Sequence, residues 1–115
     1  MQLQEIKEIL EADVFCGEEY LTRDAESACG SDLMSDVLAF VKEQSVLLTG
    51  LLNPQVIRTA EMMDICCVIF VRGKTPDEQM VKLATEKEIV LMSTHNHMYS
   101  ACGKLYSNGL VNSAG

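Results

Sequence analysis

Basic residues are scarce in this sequence. Nine Lys and Arg stand against seventeen Asp and Glu, for a net charge of −8. Nucleic-acid binders need a basic footprint to displace counterions from phosphates, and none is visible. The same acidity argues against docking on anionic membranes and reads as a solvated surface that aids solubility. Long apolar runs are missing too: the longest, residues 65–71, is about a third of a membrane span. Residues 1–7 carry acids and no continuous apolar stretch, so no secretory signal is expected. Tryptophan is absent, and three Phe and three Tyr are the whole aromatic supply; seven methionines then point to an adaptable core or a soft interface. No linker, low-complexity segment or internal repeat breaks the chain, so one domain over residues 1–115 is expected. No nucleophile elbow, paired-carboxylate site or glycine-rich dinucleotide fingerprint occurs.

Five cysteines are present, an odd number at irregular spacing. Without a secretory signal they read as free thiols in a reducing, cytoplasmic compartment. The adjacent Cys66 and Cys67 are expected on opposite faces of a strand, as buried structural thiols.

The hydrophobic pattern predicts alternating elements. Leu3, Ile6 and Leu10 recur at helical spacing in a helix over residues 2–12. A short strand over 13–16 follows, ended by Gly17. Residues 18–30 are hard to read, with a turn at 20–24 entering a strand near 26–29. Ser31 or Asp32 is placed to cap a helix whose stripe is Leu33, Val37, Phe40 and Val41. Residues 46–49 read as a buried strand, and Asn53-Pro54 as a cap with proline at the first helical position. Val56, Ile57, Ala60 and Met63 supply that helix's buried face. Residues 66–71 have no polar position on either face, as expected for a strand covered on both sides. Thr75-Pro76-Asp77-Glu78 reads as a capping box before a helix buried through Met80, Leu83 and Ala84. A strand at 90–94 precedes a helix capped by Asn96, with Met98, Ala101, Cys102 and Leu105 inside and Asn108-Gly109 at its end. Strands about 20 residues apart fit right-handed βαβ crossovers. The expected fold is α/β: a mainly parallel sheet of about four to five strands with helices packed on it.

Parallel sheets place ligands at the carboxyl ends of their strands. Three loops meet there, each leading into a helix N-terminus that favours an anion. The candidate ligand-binding residues are Thr49, Gly50 and Asn53 in the first loop, Arg72, Gly73 and Lys74 in the second, and Thr94, His95 and Asn96 in the third. Glycines allow close backbone approach, Arg72 and Lys74 bring charge for carboxylate or phosphate oxygens, and the remainder bring hydrogen-bonding groups. Gly73-Lys74-Thr75 is not a phosphate loop. The motif needs a glycine where Val68 stands, and Pro76 follows at once. His95 and His97 are the only histidines and lack further ligands at metal spacing, so no metal site is expected.

Residues 31–40, 48–60 and 71–74, in that order, resemble the DRTGG domain family, and most of all the stand-alone members found with iron-only hydrogenase genes in anaerobes. The pentapeptide that names the family does not occur. The resemblance covers nearly the whole chain. It implies a three-layer fold similar to the N-terminal domain of HPr kinase/phosphatase, a Mur-ligase-like α/β layer. It also implies a regulatory role, since the domain accompanies phosphotransacetylase or cystathionine-β-synthase-type modules in longer proteins, and it implies a homodimer. It carries over no catalytic residue and no cofactor, because the kinase chemistry of the similar protein belongs to a phosphate-loop domain absent here. The expectation is a non-catalytic regulatory module that binds a small anionic metabolite, or a hydrogenase- or acetyl-phosphate-related protein partner. A dimeric adaptor without a small-molecule site, or a small enzyme using the strand-end loops, are the alternatives.

Overall fold

A computed structural model describes residues 1–40 and 44–113. Helix α1 (Leu3–Leu10) leads through a left-handed residue, Glu11, into strand β1 (Asp13–Cys16). A short turn of 3-10 helix (Glu18–Tyr20) precedes β2 (Ser27–Gly30). From there strands and helices alternate: α2 (Met34–Phe40), β3 (Ser45–Thr49), α3 (Pro54–Met62), β4 (Cys67–Phe70), α4 (Glu78–Glu86), β5 (Val90–Ser93) and α5 (Met98–Ser107). The five strands form one sheet in the order β1-β5-β4-β3-β2. β2 to β5 are mutually parallel, and β1 joins β5 antiparallel, with a register shift between Val14 and Cys16.

The sheet divides two cores, and strand alternation decides which side chain enters each. Val46, Leu48, Cys67, Ile69, Val90 and Met92 pack toward α1 and α5, against Leu3, Ile6, Leu10, Ala101 and Leu105. Leu47, Val68, Phe70 and Leu91 pack the other way, against Val37, Val56, Ile57, Ala60, Met80 and Ala84 of α2, α3 and α4. The architecture is therefore three-layered α/β/α. All positions of β3, β4 and β5 are buried, which is why they read as continuous apolar runs.

Several expected details differ. Leu33 is 57% exposed and precedes α2 rather than lying on its buried stripe; the side chain of Phe40, and Val41, lie outside the described residues. The predicted capping box is shifted. α4 starts at Glu78, and Asp77 Oδ1 accepts from Met80 N at 2.9 Å, so Asp77 caps while Thr75 lies two residues before the cap. β4 begins at Cys67, and Cys66 just before it packs against the same core as Cys67 instead of the opposite one. All five thiols are free. Among the described residues no helix is long and apolar enough to cross a membrane.

Candidate functional site

The parallel strands end together, so the loops after β2, β3, β4 and β5 share one edge. Thr49 is the last residue of β3 and is buried. Its Oγ1 donates to Asp32 Oδ1 at 3.0 Å and accepts from Leu51 N at 3.1 Å. Gly50 N donates to the same carboxylate oxygen at 2.6 Å. Asp32 is therefore the bracket between the loops of β2 and β3, not the cap of α2. Gly50 leaves room at this point: a Cβ there would lie 3.2 Å from Arg72 Nη2, close enough that the guanidinium would have to shift slightly, and at ordinary contact, 3.6 and 3.7 Å, from the Asp32 oxygens. The guanidinium and the carboxylate thus converge over bare backbone.

Arg72 reaches that place from an unusual turn. Arg72 and Gly73 both have left-handed backbones, with φ of 60° and 70°, and Lys74 N donates back to Val71 O at 3.3 Å. Arg72 N and Gly73 N donate to Asn96 O and Thr94 O at 2.8 and 2.9 Å, which ties the turn to the loop after β5. A Cβ on Gly73 would sit 3.1 Å from His95 Nδ1, so this glycine lets the imidazole lie against the turn. Lys74 Nζ donates to Gly50 O at 2.8 Å, and Ser93 Oγ donates to Lys74 O at 2.6 Å. The structure brings Thr49, Gly50, Arg72, Gly73, Lys74 and His95 together, with Asp32 among them.

Three predicted residues serve other ends. Asn53 Oδ1 accepts from Gln55 N at 2.8 Å and caps α3. Thr94 Oγ1 and Asn96 Nδ2 both donate to Leu10 O, at 2.8 and 3.1 Å. A helix leaves its last carbonyls without intrahelical donors, and these two side chains satisfy one at the end of α1. Asn96 therefore does not cap α5; His97 occupies that position without a side-chain bond, and Asn96 Oδ1 accepts from Lys104 Nζ at 2.7 Å. Asp32 escaped the sequence reading because an acid next to a helix start looks like a cap. Its position just past a strand end, on the edge shared with Gly50, was the available signal.

A further cavity, of about 620 Å³, lies at the opposite, amino edge. It suits an anion poorly. Asp24, Glu61, Asp64 and Glu88 line it, and its two cations are engaged: Lys87 pairs with Glu61 at 2.9 Å, and Arg23 donates to Glu88 O at 2.6 Å while lying over the Tyr20 ring. Burial pushes the Cys67 thiol well above its ordinary range and raises Cys16, Cys29, Cys66 and Cys102 as well. These are not activated nucleophiles. Among the described residues no group of three or more His, Cys, Asp or Glu side chains is placed to hold a metal ion.

A family model described as "DRTGG domain" matches residues 5–107. No curated protein matches the sequence. Among solved structures, the chain is similar to the CBS and DRTGG domains of the regulatory region of Clostridium perfringens pyrophosphatase, a structure complexed with its activator, diadenosine tetraphosphate. The TM-score is 0.76 at 17% identity, covering 90% of this chain and 45% of that one. The chain thus spans less than half of that protein's chain, and the likeness is one of fold.

Proposed function

Matched over residues 5–107, this chain belongs to the DRTGG domain family, and from that membership we propose that it is a non-catalytic regulatory module whose carboxyl sheet edge binds a small anionic molecule in a reducing cytoplasm. The observation that carries the reading is the Arg72 guanidinium held over Gly50. It is an exposed cation, aimed by a left-handed turn at bare backbone on the edge where α3 and α4 begin. Among the described residues no side chain or carbonyl accepts a hydrogen bond from it, so its fork remains for a carboxylate or phosphate. Lys74 adds a second positive charge, and His95 stands beside Gly73.

A regulatory rather than catalytic role fits the hydroxyls at this edge. Thr49 gives its proton to Asp32 and Ser93 gives its proton to Lys74 O, so neither is poised toward His95 as a nucleophile toward a base. The Clostridium perfringens neighbour is part of a regulatory region, and its activator is a polyphosphate, the chemistry that Arg72 suits. The resemblance to hydrogenase-associated members makes acetyl phosphate, coenzyme A derivatives and nucleotides the first ligands to try. In a thermal-shift screen of these compounds, at least one raises the melting temperature, because ligand bound to the native state alone adds stability. Arg72→Ala weakens that ligand by about 1.5–3 kcal/mol, the range for a charge-assisted bond. A ligand that stabilises wild type and Arg72→Ala equally would refute this placement.

The second reading is a homodimeric adaptor. It is favoured by the outer face of α5, where Tyr99 is 91% and Tyr106 is 64% exposed. The two readings part at the carboxyl edge: the adaptor has no small-molecule site, so a screen in which no compound raises the melting temperature would favour it.

A further inference from the structure

We infer that the ligand of the carboxyl edge is an anion with a neutral hydroxyl close to its charge, a sugar phosphate or ribonucleotide, and that Asp32 selects for the hydroxyl; this rests on the anion-binding reading above and narrows its ligand class. Three charged side chains surround Gly50. Asp32 Oδ1 accepts from its N–H at 2.6 Å, and Lys74 Nζ donates to its carbonyl at 2.8 Å. Arg72 Nη2 lies 3.2 Å from where a Cβ would stand, and the two Asp32 oxygens lie 3.6 and 3.7 Å from that same point. Even so, no ion pair joins Arg72 and Asp32. Each is held by its own loop, Arg72 by the left-handed turn tied to Asn96 O and Thr94 O, Asp32 by its bonds from Thr49 and Gly50.

The two Asp32 oxygens do different work. Oδ1 takes both protein donors, Thr49 Oγ1 and Gly50 N, while Oδ2 accepts from none of the described residues, on a side chain that is exposed. The edge therefore presents an open acceptor beside an open guanidinium fork. A plain anion seated on Arg72 would face the Asp32 charge at close range, and like charges brought together are costly. A hydroxyl next to the anion's charge turns that opposition into a charge-assisted hydrogen bond to Oδ2. The balance of charge separates a hydroxyl from an ammonium. Arg72 and Lys74 outnumber the one carboxylate, so the site keeps a positive surplus and suits a ligand of net negative charge over a zwitterion.

The test is calorimetric titration of wild type, Asp32→Asn and Arg72→Ala with three probes. These are adenosine monophosphate, its dideoxy analogue lacking both ribose hydroxyls, and acetyl phosphate, an anion without a donor. Asp32→Asn isolates the selecting oxygen: its amide oxygen can keep the bonds from Gly50 and Thr49, while its nitrogen puts a donor where Oδ2 stood. Wild type is expected to bind adenosine monophosphate about tenfold more tightly than either other probe, the scale of one hydrogen bond to a charged group. Asp32→Asn is expected to bind the two nucleotides equally, and acetyl phosphate more tightly than wild type does. Arg72→Ala is expected to weaken all three. Wild type that binds the dideoxy analogue or acetyl phosphate as tightly as adenosine monophosphate would overturn this inference and leave the anion site standing; that comparison needs no variant to fold. An Asp32→Asn protein that keeps the wild-type preference would also overturn the role of Asp32 alone. Wild type that binds none of the probes, or Arg72→Ala that binds them as wild type does, would overturn the anion-binding reading and this inference together.

Discussion

Arg72 is the residue that most separates binding from folding. Its φ of 60° lies in the left-handed region, where a side chain is disfavoured by about 1–2 kcal/mol, yet a glycine follows it that would have fitted the position without strain. A strained residue persists where its surroundings hold it; here the backbone N–H groups of Arg72 and Gly73 are tied to Asn96 O and Thr94 O. Arg72→Gly is therefore expected to leave stability unchanged or raise it by up to about 1 kcal/mol, measured by urea denaturation, while ligand-induced stabilisation disappears. A larger loss of stability would mean that the guanidinium serves the fold. Asp32 is the opposite case. Its carboxylate accepts from both Gly50 N and Thr49 Oγ1, so Asp32→Ala strands two partly buried donors and should lower stability by about 1–3 kcal/mol. Retention of full stability would show that water replaces the carboxylate.

Individual elements start and stop where a side chain satisfies an orphan backbone group. α4 shows how a motif misleads by two residues. Thr75 and Glu78 have capping-box spacing, but the residue that caps is Asp77, whose Oδ1 accepts from Met80 N, and the helix starts one residue later at Glu78. Asp77→Ala should cost about 0.5–2 kcal/mol in thermal or urea unfolding and Thr75→Ala much less; the reverse order would restore the box. α1 ends differently. Its last carbonyl is met by Thr94 and Asn96, more than eighty residues along the chain. No local pattern announces such a partner, so both residues looked like members of the edge site.

The whole molecule is a sheet with unequal strands. β3, β4 and β5 are buried throughout, whereas β1 alternates between exposed and half-buried positions and has a partner only on the β5 side. β2 is the other edge of the sheet, covered in part by residues 112–113, where Ala28 N donates to Asn112 O at 3.1 Å. Amide exchange measured by mass spectrometry should therefore be slowest in peptides from β3, β4 and β5, and faster in β1 and β2, because opening free energy follows burial and backbone pairing. Uniform protection across all five strands would point to a single cooperative unit with no weak edge.

The sequence by itself determined the order of the elements from Ser45 onward, the parallel character of the sheet, the cap at Asn53, the end of α5 at Asn108-Gly109, and the edge where loops meet. Each of these is written in short-range signals: apolar runs, helical periodicity, and Asn, Pro or Gly at fixed offsets. Even there, local signals misplaced Leu33, the start of α4 and the face of Cys66. Tertiary structure alone decided that β1 runs antiparallel beside β5 rather than next to β2, because strand order depends on which edges the helices leave open and not on any local pattern. It also decided the division of labour at the carboxyl edge. Thr49, Thr94 and Asn96 have the polarity of ligand-binding residues, but their hydrogen bonds are spent on Asp32 and Leu10, while Arg72 keeps its guanidinium over Gly50. Which polar group is consumed by the fold and which is left for a ligand is a question of distance between residues far apart in sequence, and only the packed chain sets that distance.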